Sequence, residues 1–454
     1  MTAPDTKPTA RATRPRALGR AYAKLLTAGS VSFAGDGIYD TALPLLAASL
    51  SRDPLVVATV GVAGELPWLL FALPAGALVD RWDRRRVLWI TDAYRSMVVG
   101  ALAIAVVAGW ASIPLLGVAG FLLATGGTLF TPAAQSIVPS IVSREPVRLE
   151  RANGRMAAAQ TVGDHLAGPP LGGLLFSLAR PAPFLADAVS FAVSAALIAT
   201  LPGRFAPASG RGWERRAPAH SPPGERGGLG PEAATAARPA GLRAEIVEGL
   251  GWLGRHRLLR ALALMNAIAS LAFSAWTAIM VLFAQDRLGL GNIGYGLLWT
   301  GVAAGSLLGS VLAAQLGRTL GPRRVLLGSA TAFGATTLGI GLSTSPWAAG
   351  VLLGVLGLAL TVWNVVVVSL RQAIVPDRLV GRVNSAFQLV SLGVMPLGSA
   401  VGGALGHTLG LRAPFLAGGV ALLAAALLAA RIVTTHAIDV ARAAERRGNQ
   451  SLER

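Results

Sequence analysis

Apolar residues along this chain gather in runs of about 20, separated by short polar and charged breaks. A run of that length crosses the hydrocarbon core of a bilayer as a helix, so the pattern predicts an all-α, polytopic membrane protein. Twelve runs stand near 22–50, 55–79, 87–109, 112–138, 152–178, 182–201, 258–284, 292–316, 324–343, 346–370, 382–408 and 412–434. The longer ones imply tilt, or ends that leave the bilayer. The longest polar break, 203–255, carries RGWERRAPAHSPPGERGG and turns helix-like only from Leu242 to Leu253. That composition predicts a flexible linker followed by an amphipathic helix. It divides the runs six and six. The expected organisation is a polar arm at 1–21, a six-helix bundle at 22–202, the linker at 203–255, a second bundle at 256–434 and a tail at 435–454.

Charge adds orientation. Of the 40 Lys and Arg residues, about 35 fall in the termini and in the loops after the even-numbered runs. Arg52, Arg180, Arg287 and Arg412 fall on the other side, and Arg95 lies inside the third run. The basic side is predicted to be cytoplasmic, which puts both termini inside the cell and the protein in the plasma membrane. A net charge of +18 by itself would suit a nucleic-acid partner, but its confinement to alternate loops argues for topology instead. The N-terminal arm is basic and contains Pro, without the apolar core and cleavage site of a removable signal peptide. With no Cys and five scattered His, no disulfide, thiolate site or metal cluster is expected. No Walker-type phosphate loop occurs, so the chain reads as neither an ATP-driven pump nor a hydrolase, and no cofactor is implied.

The two halves echo each other. RRRVLWITDAYRS (84–96) corresponds to PRRVLLGSATAFG (322–334). IVPS (137–140), Asn153 and GPPLGG (168–173) correspond to IVPD (374–377), Asn384 and PLGSAVGG (396–403). A half-repeat of spans is the trace of two bundles that rock about a central site. Between the second and third runs lies AGALVDRWDRRRV (75–87), in which Gly76, Asp80, Arg81, Arg85 and Arg86 stand out. This loop resembles the signature loop of the major facilitator superfamily. Asp83 stands where that pattern usually has a second Gly, a departure that resembles the family's enterobactin-exporter and macrolide-efflux branch. The resemblance implies the major facilitator fold, twelve transmembrane helices in two bundles. It also implies a latch in which Asp80 meets the start of the eleventh span near Gly381–Asn384, where free N–H groups favour an anion. The second-half loop GRTLGPRR (317–324) has no acid, so such a latch is asymmetric. Gly154, Gly163, Gly168, Pro169, Gly172 and Gly173 resemble the family's antiporter motif, with the gap before Gly168 one residue longer than usual. Small residues in this pattern also serve close helix packing in any bundle.

Asp36, Glu65 and Asp164 fall near the middles of the first, second and fifth runs, Asp164 beside His165. An ionised group at such depth costs at least about 2.5–3.5 kcal/mol on insertion scales, so each is expected to face a cavity or a partner. They are the candidate proton carriers, with Asp36 and Glu65 as the leading pair and His165, beside Asp164, as a further proton-coupling candidate. Asp92 and Arg95, one turn apart on the third run, read as a structural ion pair. Between Leu258 and Thr434 the acids are Asp286 and Asp377, both at run ends, so proton handling inside the membrane belongs to the first half. The second half offers Asn266, Trp276, Trp299, Trp363, Asn364, Phe387 and Gln388 as cavity candidates, while Trp347 reads as an interfacial anchor. Acids on one wall and aromatics on the other suit a bulky, partly apolar guest. The expected function is proton-driven export of a medium-sized amphipathic compound such as a drug, macrolide or siderophore, by a monomer in the lipid bilayer. The alternatives are proton-coupled uptake and a membrane scaffold or sensor that does not transport.

Overall fold

The structure, a computed structural model, describes residues 18–79, 81–142, 145–202, 242–376 and 379–435. Spans 1 to 4 are Arg20–Leu50, Pro54–Val79, Arg84–Val107 and Ile113–Val142. Span 5 is Pro146–Gln160, a π-helical segment Thr161–Ala167 and Gly168–Leu178; span 6 is Ala182–Ala199. The amphipathic helix Leu242–Arg255 leads into span 7, Arg257–Thr277 with Met280–Asp286. Spans 8 and 9 share the run Asn292–Leu342, broken at Gly321, whose φ of 77° no L side chain adopts readily. Pro346–Ile374 is span 10, Val380–Gly393 with Met395–Leu409 is span 11, and Ala413–Ala430 is span 12. Nine described helices are long and apolar enough to cross a membrane by length and composition. One of these is the double run of spans 8 and 9; span 1, with its two mid-helix acids, and the broken span 5 complete the twelve. The arm before Leu18, the linker 203–241 and the tail beyond Thr435 lie outside the described residues.

Odd-numbered spans start on the face where span 1 begins and span 12 ends, here termed the terminal face, and finish on the opposite, distal face. In the distal half, one hydrophobic core draws on both bundles, from Tyr39, Leu45 and Phe184 to Trp276, Phe283, Tyr295 and Phe415. Toward the terminal face the core divides. One cluster around Leu88, Ile137 and Ala152 belongs to the first bundle; another around Leu262, Leu370 and Val383 belongs to the second. The bundles are therefore sealed together distally, and toward the terminal face their cores part on either side of a cleft.

The half-repeat has a three-dimensional counterpart in this seal. Gly168 and Gly172 of span 5 press on span 1, where a Cβ would lie 2.7 Å from Gly37 Cα and 2.6 Å from the Ile38 carbonyl oxygen. Gly398 and Gly402 of span 11 press in the same way on Leu271 and Ala275 of span 7. The next residue in each series faces across the molecule. Gly173 abuts Asn292 and Ile293 of span 8, and a Cβ at Gly403 would lie 2.5 Å from Ala58 Cβ of span 2. Each Gly-Gly doublet thus closes one contact inside its own bundle and one between bundles.

Candidate functional site

The first bundle places five acids around one guanidinium. Arg95 on span 3 donates through Nη2 to Asp36 on span 1, 2.6 Å away. Its Nη1 lies 3.8 Å from Asp92, and Asp187 of span 6 adds to its field. Asp92 also accepts from Ser194 at 2.6 Å, and Asp187 accepts from Ser190 at 3.1 Å. The guanidinium lies 4.0 Å over the Phe191 ring, a cation–π arrangement. Room for this cluster comes from Gly35, whose backbone touches Asp187 and Ser190, and from Gly126 of span 4, where a Cβ would meet Arg95 Cγ at 2.8 Å.

Asp92 and Asp187 are fully buried, and one oxygen of Asp187 has no hydrogen-bond partner. Asp40, one turn beyond Asp36, is exposed to the cleft; the charges acting on it are Asp164, Asp36 and Arg95. It also acts on Tyr295 of span 8, which places it facing the second bundle. One guanidinium cannot neutralise Asp36, Asp92 and Asp187 together, so the acids outnumber the cation in a medium of low dielectric.

Asp164 and His165 sit on the π-helical segment of span 5, 3.8 Å apart, with His165 exposed and Asp164 mostly covered. Pro169 and Pro170 lack N–H groups, so the turn before them is short of hydrogen-bond donors; it widens, with the Gly168 N–H reaching back to Gly163. Glu65 is not part of this cluster. Its carboxyl meets Ser274 of span 7 at 2.6 Å and Ser399 of span 11 at 2.9 Å, both from the other bundle.

The second bundle encloses a cavity of about 230 Å³, lined by Asn266, Phe273, Phe333, Trp363, Asn364 and Met395 among others. Trp363 Nε1 donates to Asn266 Oδ1 at 3.3 Å, and Asn266 Nδ2 donates to Ser391. Asn364 is exposed. Trp276 lies elsewhere, fully buried and stacked on Trp299 and Phe415. Phe387 is buried beneath Arg371, and Gln388 is exposed outside the cavity.

In the loop between spans 2 and 3, Asp80 lies outside the described residues. Asp83 caps span 3, accepting from the Arg86 N–H at 3.1 Å, which gives the departure from Gly a local reason. Arg85 donates to the Ala199 carbonyl of its own bundle at 2.6 Å; Arg81 and Arg86 are exposed, and Gly76 borders open space. The start of span 11, where the resemblance puts the latch, packs on the helix Leu242–Arg255 through Arg382–Glu248 at 2.5 Å and through Gly249. Gly154 also borders open space, whereas Gly163 packs on Phe33 and Ala34.

Sequence reasoning passed over Asp40 and Asp187, and it read Arg95 as a partner of Asp92 alone. The signal was present for both acids, since each is a charge inside an apolar run. Nothing local pairs Arg95 with Asp36, 59 residues away. Among the described residues no group of three His, Cys, Asp or Glu is arranged to hold a metal ion.

The family profile described as Major Facilitator Superfamily matches residues 25–389 and 262–453. The chain is 27% identical over 428 residues to the multidrug efflux pump Tap of Mycobacterium tuberculosis, covering 92% of this chain and 94% of the relative. It is 22% identical over 420 residues to macrolide efflux protein A of Streptococcus pyogenes, covering 90% and 95%. Among solved structures, a point mutant of the nucleoside transporter NupG superposes with a TM-score of 0.69 at 12% identity, covering 90% of this chain and 98% of that one. A bacterial homologue of the iron transporter ferroportin, in an inward-facing state, gives 0.67 at 18% identity, covering 92% and 98%.

Proposed function

The chain belongs to the major facilitator superfamily and is a membrane transporter rather than an enzyme, and from that premise we propose that it is a proton-coupled exporter of medium-sized amphipathic compounds such as a drug, macrolide or siderophore. The observation that carries the coupling is the charge balance around Arg95: its carboxylates outnumber the cation that serves them. A proton and a substrate that compete for such a cluster exchange for one another, which is antiport. Asp36, Asp40 and Asp164, which reach the cleft or its edge, are the groups through which protons enter. Export is favoured over uptake by two relatives named as efflux proteins. The cavity of Asn266, Trp363 and Asn364 supplies the apolar and amide contacts for the guest.

In this reading the basic terminal face is cytoplasmic, and the geometry corresponds to a monomer open to the cytoplasm and ready to load. The test has two parts. An efflux-deficient host expressing the protein should accumulate less of at least one macrolide or dye, whereas raised accumulation would mean uptake. In proteoliposomes, a pH gradient should drive uphill export, and Asp36→Asn or Asp164→Asn should abolish it while downhill exchange persists. Full gradient-driven export by both variants and by Asp187→Asn would sink proton antiport through this cluster.

A further inference from the structure

The contact between Glu65 and the opposite bundle holds more oxygen than hydrogen. Ser274 Oγ lies 2.6 Å from Glu65 Oε1, 2.8 Å from the Met395 carbonyl oxygen and 2.7 Å from Ser399 Oγ. Ser399 Oγ lies 2.9 Å from Glu65 Oε2. These are four oxygen–oxygen contacts at hydrogen-bond distance, each favourable only with a hydrogen between its atoms. Each serine hydroxyl supplies one hydrogen; the Met395 carbonyl and an ionised carboxylate supply none. With Glu65 ionised, two contacts are left as bare oxygen pairs. A hydrogen on Glu65 Oε1 fills three of the four contacts, with Glu65 donating to Ser274, Ser274 to the Met395 carbonyl and Ser399 to Glu65 Oε2, and leaves one bare pair, Ser274–Ser399, instead of two.

Among the described residues no charge offsets an ionised Glu65. The groups acting on it are Ser274 and Ser399, with no cation among them. Span 4, packed along span 2, carries no titratable side chain between Ile113 and Val142. On span 11 the charged or titratable groups are Arg382, held by Glu248, and His407, held by Asp53 at the distal end. Span 7 carries Arg257 and Arg260 at its terminal-face end and Asp286 at its distal end. The acids of span 1, Asp36 and Asp40, belong to the Arg95 cluster. The backbone is shaped for the node: Gly61, one turn before Glu65, admits Ser399, and Gly398 admits Ser274.

We infer that Glu65, Ser274 and Ser399 form a proton-binding site assembled from both bundles, filled when the distal side is closed. Opening that side draws span 2 away from spans 7 and 11, separates the carboxyl from both hydroxyls and leaves it in distal water, where it exchanges its proton. Closure then requires a proton on Glu65. This deepens the antiport reading, because it ties the return of the empty carrier to proton uptake from the distal side.

The test uses the full chain in nanodiscs, with spin labels at Leu55→Cys and Leu409→Cys, exposed positions on the two bundles at the distal face of a chain without native Cys. His407→Gln is included so that the distal His407–Asp53 pair cannot contribute. In this parent, raising pH should shift the label pair from a short to a long distance, with the open-to-closed ratio changing about tenfold per pH unit for a single proton. Glu65→Gln, permanently neutral and able to donate, should stay short at every pH. Ser274→Ala with Ser399→Ala should lose most of the closed population at acidic pH. Infrared difference spectra of the closed parent should carry a protonated carboxyl band that Glu65→Gln removes, which also serves if a spin-labelled variant folds poorly. A parent that stays closed in alkaline buffer, a Gln variant that opens along the parent's curve, or a closed state without that band overturns the inference. None of these readouts involves substrate. A chain that closes through Glu65 but exports without a proton gradient would therefore sink the antiport reading and leave the site standing.

Discussion

Arg95 balances acids from three helices, and its removal leaves them with like-charged neighbours in a buried setting. Arg95→Met is expected to destabilise the first bundle by about 3–5 kcal/mol, the usual cost of breaking a buried pair by deleting one partner. Asp36→Asn in the same chain should restore part of that loss by deleting one orphaned charge. Apparent melting temperature and detergent-soluble yield check both; an Arg95→Met protein as stable as its parent would show that the acids are already balanced elsewhere. Tyr39 and Trp276 illustrate the opposite case at this scale. Uncharged, large, buried and set in aromatic pairs, they fill the core that both bundles share.

At the scale of elements, the glycine series of spans 5 and 11 divides by what each position faces. A methyl at Gly402 runs into the Ala275 carbonyl of its own bundle, so Gly402→Ala should lower folded yield. A methyl at Gly403 meets span 2 of the other bundle, so Gly403→Ala should fold but shift the balance toward a distally open state. Cysteine accessibility at the distal face reports that shift, and an unchanged accessibility would remove Gly403 from the seal. Gly154→Ala meets nothing within 4 Å and relieves a helix-interior glycine, so it should be neutral or stabilising by up to about 1 kcal/mol. Motif resemblance treats Gly154 and Gly173 alike; their surroundings do not.

For the molecule as a whole, the loop Ser51–Asp53 ties the first bundle to the second at the distal face. Arg52 bonds Asp286 and donates to Gln285 at 2.6 Å, and Asp53 pairs with His407 at 2.9 Å. The Asp53 carboxyl is held below its ordinary range, first by the Leu55 N–H that it caps and then by His407. A folded-state value below the unfolded one stabilises above the carboxylate range and is lost as pH falls through the lowered value. Asp53→Asn keeps the helix cap but drops the charge. It should weaken distal closure at neutral pH and match the parent in strong acid, read by the same label pair across the distal face. A difference that persists in strong acid would assign the effect to something other than this charge.

Sequence by itself determined the spans, their division six and six and the existence of a half-repeat. The reason is that hydrocarbon leaves no alternative to internal hydrogen bonding, so a sufficiently long apolar run becomes a helix whatever its neighbours are. It also singled out Asp36, Glu65 and Asp164, because a charge in hydrocarbon is costly regardless of context. Tertiary structure alone decided which groups meet. The rotation and depth at which helices pack bring Asp36 to Arg95 rather than to Glu65, and they bring Glu65 to serines 209 and 334 residues away. Neutral serines such as Ser274 and Ser399 carry no insertion cost that would mark them in a one-dimensional pattern. Their part comes from the oxygen that the opposite bundle sets against them.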